Sequence, residues 1–122
     1  MFLHLNNYLR SHRRRSGLSQ SEVAFLLGSE DGGQVSRYEK GHRLPTLRTA
    51  LAFTTIFGVS LSILFSGIQI GIDSEVLLRI KQLRAQLEKK RVEHRETAAD
   101  GLKLHWLDER SSSLRRQSDS AR

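Results

Sequence analysis

The sequence has no cysteine, so it can build neither a disulfide framework nor a thiolate metal site. That fits a reducing compartment such as the cytoplasm. It has one proline, Pro45, which sits in a loop, and one tryptophan, Trp106. Its five histidines, at positions 4, 12, 42, 94 and 105, are too scattered for metal-ligand spacing. No nucleophile elbow, phosphate-binding loop or paired-carboxylate arrangement is present, which argues against an enzyme and gives no cofactor to expect. The first residues put apolar groups before arginines, the reverse of a secretory leader.

Acidic residues are also scarce. Thirteen carboxylates face 20 lysines and arginines, a net charge of +7. Such an excess in a short chain favours polyanionic partners: DNA, RNA or an anionic membrane. One stretch, from Thr49 to Ile72, has no charged residue. It is long enough to span a bilayer. Thr54, Thr55, Gly58, Ser60, Ser62, Ser66, Gly67, Gln69 and Gly71 dilute it, and Gly58-Val-Ser60 reads as a stop followed by a new cap. Two water-exposed helices are therefore expected there, with no membrane partner.

The remainder is punctuated by helix signals. Asn6 or Asn7 can cap a first helix that runs to about Arg15 and ends at Gly17. Ser19 and Glu22 have the spacing of a capping box for a second helix, 20–27, which Gly28 ends. Asp31 can start a third helix, 33–40, which Gly41 stops. Thr46 can cap a fourth, with Leu47, Ala50, Leu51 and Thr54 or Thr55 at helical spacing. Ser60 opens a short fifth helix, 61–65.

The third helix carries the functional signal, in DGGQVSRYEKG. At 100° per residue, Val35, Tyr38 and Glu39 share one side, while Ser36, Arg37 and Lys40 share the other and Gln34 lies at the edge. A buried Glu39 needs a partner, for which Arg13 is the candidate; the other reading leaves Glu39 at an exposed rim. The outward side fits the DNA major groove, where an arginine can donate two bonds to guanine. Base reading is expected from Arg37, Gln34 and Ser36. Phosphate contacts are expected from Gln20, at the start of the second helix, and from Lys40, His42 and Arg43 after the third.

The segment LRSHRRRSGLSQSEVAFLLGS…QVSRYEKGHRLPTLRTALAFTTIFGVSLSILF resembles the lambda-repressor/Cro-like helix-turn-helix family, also called XRE-type regulators. The resemblance covers about residues 9–65. It implies a five-helix, all-α DNA-binding domain, usually dimeric, that regulates transcription. It also implies that Gln20 contacts phosphate, Arg37 reads bases, and Arg13 pairs with Glu39. It assigns Leu9, Val23, Ala24, Leu27, Val35, Leu51, Ile56, Val59 and Leu64 to the core. Two departures stand out. The turn SEDGG is one residue longer than the family's common form. Gly32 and Gly33 fall where many members carry base-reading side chains.

Three regions are expected: a helix-turn-helix domain at 6–67, a charged helix at 74–97 and a flexible, disordered tail at 98–122. Gly71 to Ser74 reads as a linker. In the charged helix Val76, Ile80, Leu83 and Leu87 are spaced 4, 3 and 4, which suits pairing with a second copy or packing back on the same chain. The expected function is sequence-specific binding of double-stranded DNA by a homodimeric regulator. The alternative is a protein-interaction module, such as an antitoxin whose C-terminal helix or tail, with Trp106, engages a protein partner. A membrane-surface protein ranks third, because the long helix lacks a clean cationic face.

Overall fold

The computed structural model describes residues 7–29 and 31–120, with backbone alone for 118–120. The chain divides into two compact units, the first reaching Gln69 and the second starting at Ile70. All regular structure among the described residues is helical.

The first unit contains α1 (Leu9–Ser16), α2 (Gln20–Leu26), α3 (Gly32–Glu39), α4 (Leu47–Phe57), α5 (Leu61–Leu64) and the opening turn of α6 (Ser66–Val92). Most of the short helices begin and end at local signals, though Ser60, at the start of α5, makes no side-chain capping bond. The N-cap of α1 is Tyr8, whose side chain makes no capping bond, and not Asn7. Asn7, one residue earlier, accepts from Leu9 N–H at 3.1 Å and donates to the Tyr38 carbonyl at 2.9 Å, which ties the start of α1 to α3. Asn6, the other capping candidate, lies outside the described residues. The Ser19–Glu22 capping box is complete, with bonds of 3.1 and 2.9 Å. Asp31 caps α3 through Gly33 N–H at 2.8 Å, and Thr46 caps α4 through Thr49 N–H at 3.3 Å. Gly17 and Gly58 end α1 and α4 in the left-handed conformation that glycine adopts without strain. The expected ends of α2 and α3 shift by one residue, because Leu27 and Lys40 are the half-helical caps that follow.

The break at Gly58 cuts the charge-free stretch into separate elements. No helix among the described residues is long and apolar enough to cross a membrane.

The core of this unit gathers Leu9, Val23, Ala24, Val35, Tyr38, Ala50, Phe53, Leu64 and Phe65. Leu27 and Val59 pack against it while partly exposed. The expected register of α4 is corrected here. Ala50 is buried as its place in the stripe suggests, but Leu47 and Leu51 are exposed, and Phe53 and Phe57 face inward in their stead. Both stripes have helical spacing, and the aromatic one prevails because a ring buries more apolar surface than a leucine at the rim. Phe53 meets Tyr38 edge-on at 6.0 Å and stacks on Phe57 at 6.2 Å.

The second unit departs from expectation at three points. The linker at Gly71 to Ser74 is helical, part of α6. Glycine inside a helix costs only about 1 kcal/mol, and the Ser74 hydroxyl donates to the Ile70 carbonyl at 3.1 Å instead of capping a new helix. The charged helix ends at Val92, before residue 97, because His94 turns to φ 60 and backbone bonds close the end of the helix. The expected flexible tail is instead α7 (Ala98–Ser120). Its start has a second capping box. Thr97 N–H donates to the Asp100 carboxylate at 2.9 Å, and Asp100 N–H donates to the Thr97 hydroxyl at 3.3 Å. Lys90 pairs with Asp100 at 2.9 Å, and Arg84 pairs with Asp108, so α6 and α7 run antiparallel. Leu87 and Leu104 are buried between these ion pairs in sequence.

The candidate pairing stripe is therefore divided. Leu87 is buried and Ile80 half-buried, while Val76 and Leu83 each remain 44% exposed.

Candidate nucleic-acid interface

Helices α2 and α3 pack closely, and glycine makes that approach feasible. A Cβ on Gly32 would sit 3.0 Å from the Ser21 hydroxyl and 3.2 Å from its backbone nitrogen. A Cβ on Gly33 would sit 2.9 Å from the Asp31 oxygen that caps α3. The two glycines thus serve the helix crossing and the cap, which accounts for the missing side chains at the front of α3.

Behind α3, Glu39 is held in a network. Arg13 donates through Nε at 2.6 Å and through Nη2 at 3.2 Å, a two-pronged ion pair joining α1 to α3. Arg13 Nη1 also donates to the Leu18 carbonyl at 3.2 Å. Gln20 Nε2 donates to Glu39 Oε1 at 3.0 Å. With its side chain only 3% exposed, Glu39 would be costly without these donors. The contact to Gln20 could not be read from spacing, since it depends on how α2 crosses α3. Gln20 itself is half-buried.

In front of α3, Val35, Tyr38 and Glu39 are buried, Gln34 and Ser36 are half-buried, and Arg37 and Lys40 are exposed. Arg37 Nη1 donates to Gln34 Oε1 at 3.0 Å and lies 3.9 Å from Asp31 Oδ2. After α3 the chain turns at Gly41, with φ 74, and His42 N–H returns to the Arg37 carbonyl at 2.9 Å. His42 and Arg43 are exposed beyond that turn. A cleft between α1, α2 and α3 is lined by Arg10, Ser11, Gln20, Ser36 and Lys40, with Glu39 also in its wall. Arg10 and Ser11 were not singled out in the sequence, where α1 shows only a cluster of arginines. Their signal is positional: Arg10 precedes Arg13 by three residues and so lies one turn earlier on α1.

Residues 9–64 match the family model described as helix-turn-helix. This part of the chain belongs to the helix-turn-helix family of the lambda-repressor-like type. The helix-turn-helix domain thus spans α1 to α5, and its family is one of DNA-binding regulators. The chain has no significant match among curated proteins or among solved structures. In this helix-turn-helix domain the exposed edge of α3 lies opposite the network around Glu39, which ties α1 and α2 to it.

Proposed function

We propose that the protein is a transcriptional regulator that binds double-stranded DNA in a sequence-specific way, with α3 in the major groove. One observation carries the reading: α3 buries Val35, Tyr38 and Glu39 and leaves Arg37 outward beside Gln34 and Ser36, with Lys40, His42 and Arg43 clustered at its end. Arg37 reads a guanine, supported by Gln34 and Ser36. Lys40, His42, Arg43, Arg10 and Gln20 hold the phosphate backbone, which sets register and salt dependence. Such a regulator works in the cytoplasm, on the chromosome.

A single domain of this size makes few contacts, and two copies gain by spanning half-sites one helical turn apart. The exposed Val76 and Leu83 lie seven residues apart on one side of α6 and suit a second copy. Val76→Lys with Leu83→Lys is expected to halve the mass in solution.

A second reading, a module that docks a partner protein as an antitoxin does, draws on the exposed Leu102 and Trp106 of α7.

The two readings separate in a random-library DNA selection with wild type and Arg37→Ala at fixed salt. The regulator reading expects wild type to enrich one motif and the variant to lose preference at one base pair. Binding that follows salt alone, with nothing enriched, would overturn it in favour of the docking module.

A further inference from the structure

Asp31, Gln34 and Arg37 are spaced three apart, so they line one ridge on the outward side of α3. The two carboxylate oxygens of Asp31 are used differently. Oδ1 accepts the Gly33 N–H at 2.8 Å and so starts the helix. Oδ2 faces Arg37 Nη1 at 3.9 Å. The same nitrogen donates to Gln34 Oε1 at 3.0 Å. Both contacts fall on Nη1, and a fork donated by Nε and Nη2 to guanine O6 and N7 is compatible with both. An arginine side chain that is 56% exposed has many rotamers, and the entropy lost on ordering it opposes each bond it makes to a base. A ridge that orders the guanidinium before DNA arrives reduces that loss.

The carboxylate acts a second way. Asp31 is 66% exposed at the front of the helix that faces the polyanion. Its charge repels phosphate whatever the base sequence, so it weakens binding to all duplexes. Only a site that satisfies Arg37 recovers the difference. Discrimination between partners rests on such unfavourable elements as much as on attractive ones.

We infer that Asp31 is a specificity-determining positioning residue. It touches no base; it holds Arg37 in reading orientation and penalises binding to unmatched DNA. This rests on the proposed reading of DNA by α3.

The test uses the full-length chain and three substitutions that separate the roles of Asp31. Asp31→Asn keeps an oxygen for the Gly33 N–H and removes the charge. Asp31→Ser also keeps the cap and introduces no amide. Arg37→Ala identifies the base pair that Arg37 reads. The readout is the affinity ratio between the selected duplex and the same duplex changed at that base pair, with affinity for random duplex measured alongside.

An exposed ion pair sets the scale, so both Asp31 variants are expected to lower the ratio about two- to fivefold while binding random duplex more tightly. An unchanged or increased ratio in both, with Arg37→Ala still altering preference, overturns the inference and leaves the regulator reading standing. If wild type selects no site at all, the regulator reading fails and this inference fails with it. Circular dichroism at matched temperature separates loss of the cap from loss of positioning, because a purely structural defect would weaken all duplexes alike.

Discussion

The two units of the chain bury charge in different company. In the helix-turn-helix domain, Glu39 lies against a core of aromatic and aliphatic side chains, and its donors, Arg13 and Gln20, come from two other helices. In the α6–α7 unit, Asp100 is fully buried beside Lys90, Lys103 and the start of its own helix, with Leu87 and Leu104 as the buried apolar residues. The first unit is held mainly by packing, with one ion pair joining α3 to α1. The second is held by ion pairs and caps around a thin apolar seam. The helix-turn-helix domain thus draws on buried apolar area, and the α6–α7 hairpin on charge pairs that respond to pH.

Three experiments sharpen that contrast. The largest effect is expected from Phe53→Ala, which removes the ring between Tyr38 and Phe57. It should cost about 3–5 kcal/mol in denaturant unfolding of the helix-turn-helix domain. If it cost under about 1 kcal/mol, packing would not be what holds this unit. Next comes Arg13→Ala, which leaves Glu39 buried with Gln20 alone. A loss of roughly 3 kcal/mol is expected, with DNA affinity falling as α3 loses its anchor to α1.

The smallest effect, and the one specific to the hairpin, is its response to acid. The Lys90 ammonium, first, and the Thr97 N–H hold the Asp100 carboxyl well below the usual carboxylate range. A carboxyl whose folded value is depressed stabilises the fold above its unfolded value, near 4, and that contribution is lost as pH falls through the folded value. Helical circular dichroism from α7 should therefore decline in acid below about pH 4 and hold steady from there to neutrality. Asp100→Asn, which keeps a cap acceptor, should flatten that acid limb and lower helicity at neutral pH. An acid limb unchanged in this variant would mean that Asp100 is not what anchors α7.

The same contrast explains what could be read from the sequence. The short helices were legible because their signals are local: Ser19 with Glu22, Asp31 before its glycines, and Gly17 and Gly58 after the last turns. The faces of α3 followed from 100° per residue, because Val35 and Tyr38 are the only large apolar groups on it. The register of α4 was not legible, since Leu47 with Leu51 and Phe53 with Phe57 both make helical stripes and only the tertiary core chooses between them. The hairpin was missed for a related reason. Its Thr97–Asp100 box and the run Asp100, Leu104, Leu107, Ser111 and Leu114, spaced 4, 3, 4 and 3, are present in the sequence. They lie in a polar segment where composition suggests disorder, and their value depends on α6 facing them. At the site, the positions of Arg13 and Glu39 could be anticipated. The capture of Gln20 by Glu39, and the role of Gly32 in letting α3 approach Ser21, depend on how the helices cross.

The central claim is that α3 reads DNA through Arg37. Its most direct test is a competition titration of wild type and Arg37→Ala on the selected duplex against random duplex, repeated over a range of salt. The account predicts that the variant loses about five- to 150-fold in discrimination while its salt slope changes by no more than about one phosphate's worth. An unchanged discrimination ratio in Arg37→Ala would contradict the account.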